Sequence, residues 1–235
     1  MPYRRLPNTD KARLRALRTA LDKGELLDMY HLAYSQRLLN EIKYFLPQFE
    51  HALFEYQQGI SQQIKTNNGY RIRLQKARLY VSHYIQALNM AVMRGEIKPN
   101  EQEYLGLKAG AKAVPSLNAE KSVYDWGEKV LNGEVKRLAH GGPSIYTPSL
   151  ANVRVHFECF KEMYINQNFL KGNTARLHGR VISLRVTGDE IILNIWNEVE
   201  KKHEGINDLE KRLELCREYG LIYYCRKGEK LNNQD

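Results

Sequence analysis

Glu200-Lys-Lys-His203 is the one Glu-x-x-His in the chain, the spacing with which helical bundles build carboxylate and imidazole sites for paired metal ions. Such a site needs a second copy, and the sequence has none. Two lysines fill the middle and Gly205 follows, a pattern that suits an exposed helix end. Two other pairs, Glu158 with Glu162 and His51 with Glu55, share a helix face at i,i+4. His83 sits in the least charged long stretch, Leu79 to Gly95, among Val81, Ile85 and Leu88. Neutral imidazole donates once and accepts once, so the expectation for His83 is a satisfied polar group inside a bundle. Nucleophilic chemistry is not indicated, because G-x-S-x-G is absent and Cys159, Cys216 and Cys225 form no CxxC pair. His140-Gly-Gly-Pro-Ser144 has small residues, yet Pro143 removes a backbone donor and no phosphate-loop signature follows, so it reads as a loop. No catalytic, cofactor-binding or metal-binding residue is nominated.

The chain of 235 residues carries a formal charge of +9. The excess lies in three stretches, residues 1–24 (+5), 71–100 (+5) and 148–186 (+4), between neutral or acidic ones. Phosphate contacts draw on Lys and Arg, which makes Arg4, Arg5, Arg13, Arg15, Arg18, Arg71, Arg73 and Arg78 the candidate nucleic-acid contacts. The fifteen tyrosines include several among these arginines, where a ring can stack on a base or settle at the boundary of a helical bundle. A mildly basic helical protein with a solvated surface is the simpler account of the charge.

The elements that would position these residues are mostly helices. Asn8-Thr9-Asp10 is an N-cap signal before Leu14, Leu17 and Leu21, with Gly24 as a stop. A second helix is expected over 25–46, a break at Pro47, a third helix to about 65, a turn at Asn67-Asn68-Gly69, and a fourth helix from Tyr70 to Arg94 capped by Gly95. On the fourth, Leu74, Ala77, Val81, Tyr84, Ile85, Leu88 and Val92 form a core stripe. Ile72, Leu79, Met90 and Met93 lie opposite and also need cover, which helices of residues 119–218 are expected to supply, enclosing His83. Residues 99–118 read as a linker with a short helix. Beyond it, helices are expected from Glu120, from Pro148, from Asp189 to Gly205 and over 208–219. Residues 180–186 carry strand-like β-branched residues, but their flanks favour helix. Leu221–Leu231 is the clearest strand signal, with Arg226–Glu229 as its turn.

Met1–Leu17, Lys76–Ile97, Val114–Val130 and Asp189–Glu200 together make the chain resemble a family of uncharacterised bacterial proteins of about this length. The resemblance implies a mainly helical fold and brings no activity, cofactor or site residue. The expected architecture is therefore mainly all-α. It comprises an N-terminal four-helix bundle over 1–98, the linker 99–118, and a C-terminal helical part over 119–235 ending in a short strand or hairpin. No run of eighteen apolar residues and no apolar leader is present, so a cytoplasmic protein off the membrane is expected. The expected function is a non-enzymatic helical interaction or scaffold protein, monomer or homodimer, with an unidentified protein partner. Nucleic-acid binding through residues 1–24 and 71–78 is the alternative.

Overall fold

The computed structural model describes residues 3–224 and is mainly α-helical. In order come β1 (Tyr3–Arg4), α1 (Asp10–Leu26), α2 (Gln36–Met93), a 3-10 helix (Pro99–Leu105), α3 (Glu120–Ala139), α4 (Leu150–Lys202), α5 (Leu209–Arg217) and β2 (Tyr223–Tyr224). The chain divides into two compact units that do not follow its order. Unit 1 is Met1–Gly59 with Thr174–Asp235, and unit 2 is Ile60–Asn173. The division expected at 99–118 is thus corrected, and so is the four-helix bundle over 1–98, since α2 alone supplies helix to both units.

Unit 1 begins as expected, with Thr9 Oγ1 accepting from the Ala12 N–H at 3.2 Å. Gly24 does not stop α1. It is buried inside the helix, where a Cβ would run into the Leu39 side chain and the Tyr34 hydroxyl, so close packing accounts for the glycine. Residues 27–35 are loop, not helix. Lys202 Nζ donates to the carbonyls of Tyr30 and Leu32, and the Ser35 N–H donates to Glu198 at 2.6 Å. Pro47 stays within α2. A proline inside a helix costs about 3 kcal/mol, but Phe45, Leu46 and Phe49 are all buried around it, each contributing about 1.5–3 kcal/mol. The ring itself faces solvent, and Gln48 Nε2 donates to the neighbouring Tyr44 carbonyl at 3.3 Å.

Residues 180–186 are helix, within the unbroken α4. Val181 is buried in the core, and Arg185 donates twice to Asp10, at 2.7 Å each. Gly188, expected near a helix start, lies inside α4 with the Phe45 ring 3.2 Å from where a Cβ would stand. The strand partner is the N-terminus: β1 and β2 pair antiparallel, Tyr3 with Tyr224 and Arg4 with Tyr223. The expected turn at 226–229 lies outside the described residues. The core of unit 1 gathers Leu17, Ile42, Phe49, Ile195, Trp196 and Val199.

In unit 2 the expected turn at Asn67-Asn68-Gly69 is also helical. Thr66 Oγ1 bonds back to the Gln62 carbonyl at 3.1 Å and lies 3.2 Å from Gln167 Oε1 of α4, while Tyr70 and Leu74 enter the core one turn on. Gly95 follows α2 with φ +77°, as its expected role requires. Residues 99–118 are packed, not a linker. Leu105, Leu107 and Leu117 are buried, and fully buried Gln102 donates to Asn89 and to the Ala111 carbonyl and accepts from the Gly110 N–H, at 2.7–2.8 Å. The start of α4 falls at Leu150, with the Thr147–Pro148 peptide cis and Ser149 Oγ accepting from the Asn152 N–H.

The core stripe read on the fourth expected helix is the core of unit 2. Leu74, Ala77, Val81, Tyr84, Ile85 and Leu88 are buried against Val123, Val130, Phe157 and Phe160. Leu88→Ala is therefore expected to cost about 2–5 kcal/mol in a urea melt, through lost transfer energy and the cavity left behind.

Candidate functional site

Glu200 and His203, the metal-like pair, are each engaged in unit 1. Glu200 accepts from the Tyr223 hydroxyl at 2.7 Å and from Arg4 Nη1 at 2.9 Å, so it ties β1 and β2 to α4. His203 Nδ1 lies 2.8 Å from the Val199 carbonyl. Next to them, burial pushes the Cys216 thiol above its ordinary value. The His51 and Glu55 pair is equally local: Nδ1 to Oε2 is 3.5 Å, and Glu55 also binds Arg180 at 2.9 Å. Among the described residues no group of three or more His, Cys, Asp or Glu is placed to hold a metal ion.

The 140–144 loop is fastened by a buried cation. Arg137, fully enclosed on α3, donates from Nε and Nη2 to the equally enclosed Glu134 at 2.8 and 2.7 Å, from Nη1 to Glu101 at 2.9 Å, and to the Pro143 carbonyl. Hydrogen bonding to Glu134 raises the guanidinium pKa against the opposing effect of desolvation, so the charge persists in the core. Beside it the Tyr84 hydroxyl is raised above the usual phenol range, by burial first and by Glu134 next. This cluster was not legible in the sequence, where Glu134 and Arg137 look like an ordinary i,i+3 surface pair. Its geometry suits cross-linking of α3, the 3-10 helix and the loop.

A cleft of ≈ 340 Å³ in unit 2 is lined by Met90, Ala91, Arg94, Ile97, Ile145 and Tyr146, among others. Arg94 there is already held by Glu96 through two bonds of 2.6 and 2.8 Å, which leaves no directed fork toward a ligand.

The eight candidate arginines do not act together. Arg4, Arg5, Arg13, Arg15 and Arg18 belong to unit 1, and Arg71, Arg73 and Arg78 to unit 2. Arg4 is occupied by Glu200 and Asn197, Arg13 by Asp189 at 2.7 and 2.8 Å, Arg18 by Glu50, and Arg78 by the Asn118 carbonyl at 3.0 Å. Arg5, Arg15, Arg71 and Arg73 are exposed and form no salt bridge among the described residues. Charge is concentrated instead by unit: residues 60–173 have sixteen Lys and Arg against nine Asp and Glu, so +7 of the +9 belongs to unit 2.

The second stripe of α2 is not covered from within the chain, which corrects the expectation above. Ile72, Leu79, Met90 and Met93 are 50–66% exposed, and His83, expected to be enclosed, is exposed among them. With Lys76 and Gln86 they form a seam at 72, 76, 79, 83, 86, 90 and 93, every member exposed and the steps alternating four and three. A second seam runs along α4 in the same unit. Val155, Glu158, Glu162, Ile165 and Phe169 step by three and four, all exposed, with the three apolar members 56–71% accessible. The sequence contained both spacings, but only burial separates an outer seam from a core one. Unit 1 also exposes apolar side chains, among them Tyr44, Phe54, the i,i+4 pair Ile182 and Val186, and Leu26, Met29 and Tyr30 at the end of α1 and in the loop after it. Among the described residues, no helix is long and apolar enough to cross a membrane.

No protein-family model matches the chain, and neither the curated proteins nor the solved structures contain a significant match.

Proposed function

We propose that this chain is a non-enzymatic helical interaction protein that works in the cytoplasm through its second unit. The observation that carries the reading is the pair of exposed seams on α2 and α4. Alternating steps of three and four are the spacing with which one helix packs on another, because they keep side chains on one line along the helix. Exposed apolar residues in such a line mark a partner surface more specifically than scattered ones do. The buried polar clusters support the same reading, since Arg137, Glu134 and Gln102 are spent on holding loops and helices together.

Native mass spectrometry of the purified chain tests this reading. The expected spectrum contains polypeptide alone. A stoichiometric metal or organic cofactor would overturn the proposal and return attention to the cleft near Met90.

The +7 charge of unit 2 favours one second reading, nucleic-acid binding in which Lys65, Arg71, Arg73 and Lys76 of α2 contact phosphates. Its mark is salt dependence. A protein making these four contacts loses roughly 10²-fold in affinity for duplex DNA over about a fourfold rise in salt. Weak binding that is flat in salt excludes it.

A further inference from the structure

The two exposed seams of unit 2 differ in charge. The α2 seam carries Lys76 and His83 among its apolar residues and no acid, whereas the α4 seam carries Glu158 and Glu162 and no base. Lys76, Glu158 and Glu162 form no salt bridge among the described residues. The apolar side chains of each seam are therefore interrupted by charge of the sign opposite to that on the other.

The spacings agree as well. Positions 72, 76, 79 and 83 are separated by the same steps as 158, 162, 165 and 169. Laid side by side in parallel, they set Leu79 against Ile165, Lys76 against Glu162 and His83 against Phe169, with Ile72 beside Glu158 at one end. Heptad seams pair layer by layer in this way, and opposite charges fix the register.

We infer that the occupant of these seams is a second copy of this chain, with the 72–83 stretch of the α2 seam in one protomer packed on the 158–169 stretch of the α4 seam in its partner. The inference rests on the interaction-protein reading and names its partner. A nucleic acid would match the cations of α2 but leave Leu79, Ile165 and Glu162 without a role. The pairing of the seams uses all three.

Charge reversal tests the pairing on the full chain, with association followed by sedimentation equilibrium and folding by circular dichroism melts. The unmodified protein is expected to associate reversibly as concentration rises. Lys76→Glu and Glu162→Lys should each weaken association by on the order of tenfold or more, because each creates a like-charge contact. The double variant should regain association, and so should an equimolar mixture of the two single variants. At concentrations where the unmodified protein is itself monomeric, melting temperatures should stay near that of the parent, since both positions are exposed. Leu79→Glu should likewise dissociate the assembly without lowering the melt of the monomer.

Several results would overturn the inference. One is a chain that stays monomeric at every concentration with its helical signal intact. Others are association that ignores both reversals, or single losses that the double variant fails to repair. Capture of duplex DNA or anionic vesicles by a monomer through Lys76 would assign the face to another occupant. A monomer without cofactor would defeat the self-association and leave the interaction reading standing. A stoichiometric cofactor would defeat the interaction reading even if the reversals behaved as expected.

Discussion

Replacing Arg137 with methionine should destabilise the protein by about 3–5 kcal/mol, the usual cost of breaking a buried ion pair from one side. Glu134 is as fully enclosed as Arg137, and without the guanidinium its carboxylate would be left charged in the core beside the Tyr84 hydroxyl. Glu101 suffers less, because its side chain keeps access to water. The loss also frees the Pro143 carbonyl, so the 140–144 loop should exchange its amide hydrogens faster. Arg137→Met combined with Glu134→Leu should recover most of the stability, since removing both charges removes the desolvation cost with them. Urea melts of the two single variants and the double variant give the cycle. Nearly additive losses would mean that the pair does not act as a unit.

Trp196→Ala should cost about 3–5 kcal/mol for a comparable reason of size, the cavity left by a large aromatic side chain. Trp196 is among the largest fully buried side chains and stands in the unit 1 core with Ile192, Ile195 and Val199. Arg4 lies 6.0 Å above the ring, so the substitution should also loosen the paired termini of the chain. Circular dichroism gives the stability, and the remaining Trp126, on α3 of unit 2, reports that unit separately by fluorescence. Trp196→Phe, which keeps most of the ring, should cost markedly less. Equal losses for Phe and Ala would place the effect outside the cavity.

These two predictions differ in how much of each was readable beforehand. Trp196 lies in an amphipathic run with Ile191, Ile195 and Val199, so helical periodicity already marks it as belonging to a face that needs cover. Arg137 offers no such sign. Its position three residues from Glu134 looks like many solvated pairs, and only the approach of the 3-10 helix and the 140–144 loop encloses it. The candidate site shows the same limit: a seam at 72, 79, 90 and 93 is plain in the sequence, but whether it faces a core or the solvent is a tertiary property.

By itself the sequence determined the mainly helical class, a cap within Asn8-Thr9-Asp10, the apolar stripe from Leu74 to Leu88 and the left-handed Gly95, because each follows from local spacing or from the conformation of one residue. Tertiary structure decided where helices continue. Pro47 and Asn67-Asn68-Gly69 are local stop signals worth at most a few kcal/mol, and burial of Phe45, Phe49, Tyr70 and Leu74 on either side outweighs them. It also decided which segments belong together. Arg13 meets Asp189 across 176 positions and Arg185 meets Asp10 across 175, so the first and last parts of the chain form one core while the middle forms another. Local patterns carry no information on such separations, since those pairings are set by which apolar faces find each other once the helices exist.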